Sequence, residues 1–282
     1  MEVAAAKAEV GLAPAEMAEA DRVAWTILWV LSVAVLASSV LHHGFPGVLN
    51  VPSNAGVPGA DWLSLVLGDL ITGAMAWLCF RHAAVHLGFY RAVLFLAGSF
   101  VFTGLEESLW ILWGRFDPNL EGTYYFTKGA LWFLETPVNA CLGWFFLAYS
   151  SVYIATLAFP RAPILWRAAL GGLLATNVDL WIDPVQTHPA LRSWIWLSKT
   201  GLFIFSIPVT NFIGWFLLIF LFALVFERVP ALVDRLGPAR AAVRLFGQLF
   251  ALELAILVFF LVIAVIFGVA FPGTHNWTLW GL

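Results

Sequence analysis

Long apolar runs, broken by turn residues, dominate the chain. A membrane-crossing helix needs about 20 apolar residues. Seven segments qualify, roughly 23–42, 61–80, 89–113, 130–158, 163–183, 203–226 and 245–270. The connections carry turn chemistry, as in HHGFPGVLNVPSNAGVPGAD after the first segment, GRFDPNLEGT after the third and FPRAP after the fourth. The pattern predicts an all-α, polytopic membrane helical bundle of about seven transmembrane helices. No tandem repeat is read from the sequence, so one transmembrane domain over 23–271 is expected. A cytosolic tail (1–22) would precede it and a short external tail (272–282) would follow. The first tail is Ala/Glu-rich, with neither a basic n-region nor a cleavable-signal pattern.

Composition agrees. Hydrophobic residues make up 62% and charged residues 11%, against about 25% charged in a soluble domain, and mean hydropathy is +0.90. Water cannot solvate that much apolar surface, so an integral membrane protein of the cytoplasmic membrane is expected, with membrane lipid as its surroundings. Cys79 and Cys141 both sit in apolar runs and read as buried hydrophobes. A net charge of -3 without a basic patch implies no nucleic-acid partner. The oligomeric state is open.

Basic residues set the orientation. With the N-terminus cytosolic, Lys7, Arg22, Arg81, Arg91, Arg161, Arg167, Arg228, Arg235, Arg240 and Arg244 face the cytosol, and only Arg115, Lys128, Arg192 and Lys199 face out. The C-terminus then lies outside.

Acids within the apolar segments carry the chemical information. They are Asp69, Glu106, Glu107, Glu135, Asp179, Asp183 and Glu253. All but Glu253 fall in the outer half of their helices, at the depth of Pro208, Thr210 and Asn211. Clustering at one depth is what a polar pocket would give. Asp179 and Asp183 are four apart and share a helix face, about 6 Å apart along the axis, and Pro184 is expected to end that helix. Two carboxyls so close in low dielectric should not both ionise. A neutral one can give a proton and its ionised neighbour can take one. The bland alternative is a solvated helix end. Glu106 and Glu107 lie about 100° apart around their helix, so at most one can point squarely into a shared pocket. Glu135 could be a boundary residue. Asp69 and Glu253 read as structural hydrogen-bonding groups.

His82 and His86 have ligand-like spacing but no third partner in the sequence. Solvated interface histidines are the expectation, for them and for His42 and His43, and no metal is expected. Most of the 15 tryptophans fit interfacial belts. Trp110, Trp113, Trp144, Trp181, Trp194, Trp196 and Trp215 stand beside the acids and could line a pocket, where ring faces stabilise a cation.

The stretch DLWIDPVQTHPALRSWIWLSKTGLFIFSIPVTNFIGW (179–215) resembles the integral-membrane carotenoid biosynthesis proteins that include the bisanhydrobacterioruberin and gamma-carotene hydratases. The matching positions are Asp179, Leu180, Asp183 and Pro184, then Trp194 and Trp196, then Ile207, Pro208, Asn211, Phe212, Gly214 and Trp215. Upstream, Pro137, Trp144 and Tyr149 fit the family's fourth-helix pattern, and GTYYFT supplies Gly122, Tyr124 and Thr127. Departures are Phe126 for a tyrosine and SLWILWGRFDPNLE for a glycine-rich stretch. The resemblance covers roughly 100–227.

It implies a lipophilic isoprenoid substrate and addition of water across a terminal C=C. A trisubstituted alkene is a poor base, so a desolvated acid must protonate it, and the tertiary cation is then captured by a held water that loses its proton to a base. On this reading Asp179, Asp183, Glu107 and Glu106 handle protons, with Asp179, the deeper of the pair, as the preferred donor. Asn211 and Tyr124 would position water. Trp144, Trp181, Trp194, Trp196, Trp215 and Phe212 would surround the substrate. No cofactor is required. Two alternatives stay open: a membrane terpene or carotenoid cyclase or isomerase using the same carboxyls, and a proton-coupled transporter.

Overall fold

In a computed structural model, residues 13–45 and 59–272 are described. Helix α1 (Pro14–Gly44) starts with a proline and a Glu16 carboxylate that accepts the Ala13 N–H at 2.9 Å. Helix α2 (Trp62–Leu87) is capped by Asp61, which accepts from the Ser64 N–H and hydroxyl. It meets α3 (Phe89–Phe116) at Gly88, whose φ of 82° allows the chain to turn on a single residue. Helices α4 (Val138–Ala158), α5 (Ile164–Gln186), α6 (Val209–Phe226), the short amphipathic α7 (Val229–Leu236) and α8 (Pro238–Ala270) follow. Among the described residues six helices are long and apolar enough to cross a membrane, counting α6 with α7. The all-α polytopic bundle read from the sequence is the fold.

Helix α3 is the axis of the bundle. Of its most apolar stretch 72% is buried, against 17% in α1 and 11% in α2. The large side chains of α2, such as Trp62, Leu70 and Leu78, are exposed, and in a bilayer that face meets lipid.

Three features differ from the sequence expectation. First, the segments expected at 130–158 and 203–226 are not helical throughout. Each opens with a tight hairpin, β2 (Trp132–Phe133) on β3 (Thr136–Pro137) and β5 (Phe203–Ile204) on β6 (Ile207–Pro208), and only then becomes helix. Pro137 and Pro208 have no N–H and hold the preceding residue extended, so the helices start just after them. Second, α5 runs past Pro184 to Gln186. The proline falls in the last turn, and the Thr187 N–H closes the end on the Asp183 carbonyl at 2.9 Å.

Third, the chain contains a duplication. The sequence PVNACLGWF (137–145) recurs as PVTNFIGWF (208–216), and SLWI (108–111) recurs as DLWI (179–182) at the same interval. The hairpins keep that interval, and so does their turn: Leu134 and Phe205 have φ of 52° and 53°. Each unit is helix, strand, hairpin, helix: α3–β1–β2β3–α4 and α5–β4–β5β6–α6. Strands β1 (Tyr124–Phe126) and β4 (Trp194–Trp196) pair antiparallel, Tyr125 opposite Ile195. That pairing puts both caps at one end of the bundle, across a local two-fold axis. Equivalent Trp144 and Trp215 meet with ring centroids 4.1 Å apart. The repeat escaped the sequence reading because apolar composition masks a match carried by a few Pro, Gly and Trp positions.

The first hairpin is also pinned to α1. The Leu134 and Trp132 N–H groups donate to Ser38 and Ser39 Oγ at 3.0 and 2.9 Å. His42 is buried, stacks on Trp132 and bonds the Leu134 carbonyl, while His43 bonds the Ala130 carbonyl. Both histidines anchor the hairpin; His42 is buried rather than solvated, and His43 stays exposed. Glu135 is likewise buried and pairs with Arg115 at 2.5 Å.

Helices α5 and α6 pack most closely of all. A Cβ at Gly172 would lie 2.8 Å from the Phe216 carbonyl oxygen, and backbone cannot move aside cheaply. Gly172→Ala should therefore cost about 1–3 kcal/mol and lower the thermal midpoint in detergent. Gly73→Ala, where an added Cβ meets nothing within 4 Å, should leave the midpoint unchanged or raise it.

Candidate active site

The close approach of α5 and α6 places Asn211, in the first turn after Pro208, against the two aspartates of α5. Its Nδ2 donates to Asp179 Oδ2 at 2.7 Å and to Asp183 Oδ2 at 2.6 Å. The two carboxyls also reach each other. Asp179 is fully buried and Asp183 is 2% exposed, so neither is a solvated helix end. From α3, Glu107 approaches the pair closely enough for its charge to act on both. Its Oε1 accepts the Trp144 indole N–H at 2.9 Å. The hydrogen-bond partners of these three carboxyls are thus an amide and an indole, and Asp179 Oδ1 has none.

The cluster forms one wall of a cavity of about 520 Å³, within the usual range for a small-molecule site. Asp183, Asn211 and Glu107 line it; Asp179 stands behind Asp183. Tyr124, Phe126, Trp144, Trp194, Trp196 and Trp215 supply aromatic faces. The opposite wall is a small-residue face of α2, with Ser64, Gly68 and Thr72. A Cβ on Gly68 or Gly143 would meet nothing within 4 Å, so these glycines leave the lumen open. Asn139, Gln186, Ser193 and Lys128 add polar groups that the sequence reading did not single out. The Lys128 ammonium donates to the Leu191 carbonyl at 2.8 Å.

A second, much smaller chamber of about 30 Å³ lies beyond a shared partition that includes Glu107, Asn211, Trp144 and Trp215. Glu106 opens onto it, with Trp110, Thr210 and Phe260. Glu107 lines both spaces, whereas Glu106, about 100° away around the helix, lines only the small one. Glu253 lies within electrostatic range of Glu106. Phe212 is buried but lines neither space, and Trp181 is 65% exposed on the outer face of α5. Trp113 also lines neither.

Sequence reading missed Glu121, hidden in an apparent surface loop. It is 1% exposed and lies against Thr210. A Cβ at Gly201 would sit 2.1 Å from its Cγ, at a φ of +117°; the glycine makes room for the acid. Trp110 donates to the Gly122 carbonyl at 2.7 Å and fixes the neighbouring backbone.

A sequence model of the carotenoid biosynthesis protein family matches residues 62–278. The chain belongs to this family. The matched region runs from α2 to beyond α8, so it contains both spaces and the whole duplication of this carotenoid biosynthesis protein. Comparison with curated proteins gave no match, and comparison with solved structures gave none.

Burial pushes the Glu121 carboxyl up from 4.5 to about 7. An acid harder to ionise when folded leaves stability highest below the unfolded value. Stability then falls as pH rises from about 4.5 towards 7. Glu121→Gln should flatten that decline, raising stability relative to wild type at pH 8 by up to about 3 kcal/mol. Thermal midpoints of both proteins between pH 4 and 8 (roughly the range over which the shifted carboxyl titrates) measure this.

Proposed function

We propose that this protein hydrates the terminal isopropylidene double bond of a carotenoid or related isoprenoid. The observation that carries the reading is the Asp179–Asp183 pair, bridged by one amide, at the wall of a cavity that is otherwise largely aromatic and apolar. Two carboxyls bridged by one amide in an apolar setting do not both ionise easily, so the pair is suited to holding a proton. Asp183 faces the cavity and delivers that proton to the less substituted alkene carbon; Asp179, behind it, shares the proton and replenishes it. This reverses the preference for Asp179 as immediate donor.

The alkene π electrons form the new C–H bond, leaving positive charge on the tertiary carbon. Faces of Trp144, Trp215 and Trp196 stabilise it, and Glu107 lies close by. A water oxygen supplies the electron pair for the C–O bond. Its surplus proton passes to Glu107 and returns to the aspartate pair. The sum is alkene plus water to tertiary alcohol, with no electron transfer. The polyene lies in the long lumen beside α2, at the bundle end that the basic residues predict to face out.

Asp183→Asn and Asp179→Asn should each lower hydrated product at least about 100-fold with membrane insertion intact. Mass spectrometry of products from an acyclic carotene with isopropylidene ends reads this. Full activity in both variants overturns the assignment. A product of unchanged mass, lost in both variants, would move the chain to the cyclase or isomerase class, because the same cation then closes or loses a proton instead of gaining water.

A further inference from the structure

The small chamber is the counterpart of the large cavity in the other half of the duplication. Asn139, Ala140 and Gly143 of α4 line the large space. Their equivalents on α6, Thr210, Asn211 and Gly214, line the small one. Where α2 leaves a lumen, α8 inserts Phe260, whose ring would stand 3.4 Å from a Cβ on Gly214. What remains is about 30 Å³, enough for a water molecule and too little for an isoprene unit.

Two polar groups in the wall of this space lack protein partners. Thr210 Oγ1 and Trp196 Nε1 are buried with no protein atom in hydrogen-bonding geometry. Thr210 is 4% exposed. Buried polar groups left unpaired are costly. Concentrated around one cavity of water size, they describe a water site.

We propose that the small chamber binds water, held by Thr210, Trp196 and Glu106, and feeds it to the large cavity past Glu107 and Asn211 in the shared partition. Each space is lined from both units; the larger would take the oily substrate and the smaller the second reactant. The supply role rests on the hydratase reading; occupancy by water does not. In the step served, the water oxygen bonds to the cationic carbon, one of its protons passes to the Glu107 carboxylate, and the other stays in the hydroxyl.

The test uses the full-length protein in detergent micelles with an acyclic carotene in D₂O. Two quantities are read: alcohol formed, and deuterium gained by recovered carotene, which reports protonation that reverses without capture. Thr210→Val should lower alcohol about tenfold while deuterium uptake persists, so uptake per alcohol rises. Thr210→Ser should restore the wild-type ratio. A wild-type ratio in Thr210→Val overturns the supply role. Failure of the hydratase reading looks different, since wild-type protein then gives no alcohol, whether or not deuterium is taken up. Occupancy is decided separately, by a structure that resolves ordered water elsewhere in the bundle. Density beside Thr210 Oγ1 supports the site, and a dry chamber overturns it.

Discussion

The site depends on one side chain. Asn211 spends both protons of a single amide nitrogen on two carboxyls from the neighbouring helix, at 2.7 and 2.6 Å. Charged-group burial in an apolar interior is expensive unless hydrogen bonds replace the lost water, and here the replacement is minimal. It suffices to hold the geometry and leaves the pair short of donors, which is the condition for keeping a proton. The arrangement requires α5 and α6 to nearly touch. Gly172 against the Phe216 backbone permits the contact, and Pro208 fixes where α6 begins and therefore where Asn211 points.

Much of this was legible in the sequence, and the parts that were not share a cause. Helix number, depth of the acids and the pairing of Asp179 with Asp183 follow from apolar length and helical spacing, which are local properties. Asn211 came from the resemblance together with a depth argument. The hairpins were hidden because 130–137 and 203–208 are as apolar as the helices they precede; only the prolines betray them. Glu121 was missed because its burial comes from packing between distant segments, with Gly201 folding over it. Trp181 was over-read. It shares a helix with the aspartates but points away from them, a direction the spacing of 179, 181 and 183 already implied.

The duplication gives the protein its economy and its asymmetry. Two equivalent units meet around Trp144 and Trp215, with strands β1 and β4 closing one end. Position by position the halves have since parted. Ser108 of the first unit lies against Thr136 and accepts the Glu135 N–H, holding its own hairpin, whereas its counterpart is Asp179. Ala140 corresponds to Asn211, and Leu112 to Asp183. The acid pair and its bridging amide thus exist in one unit only, while Glu107, the third carboxyl, comes from the other. The cluster is therefore assembled from both units and belongs to neither alone.

Helix α5 is not among the six helices apolar enough to cross a membrane by composition. An aspartate costs at most about 2.5–3.5 kcal/mol to insert, the value at the centre of a lone helix, and α5 carries two, both in its last third. The groups that offset this cost lie on α6, the next helix to be synthesised. Biogenesis therefore favours entry of α5 and α6 as one helical hairpin. The step that assembles the amide bridge is then the same step that commits this part of the chain to the bilayer.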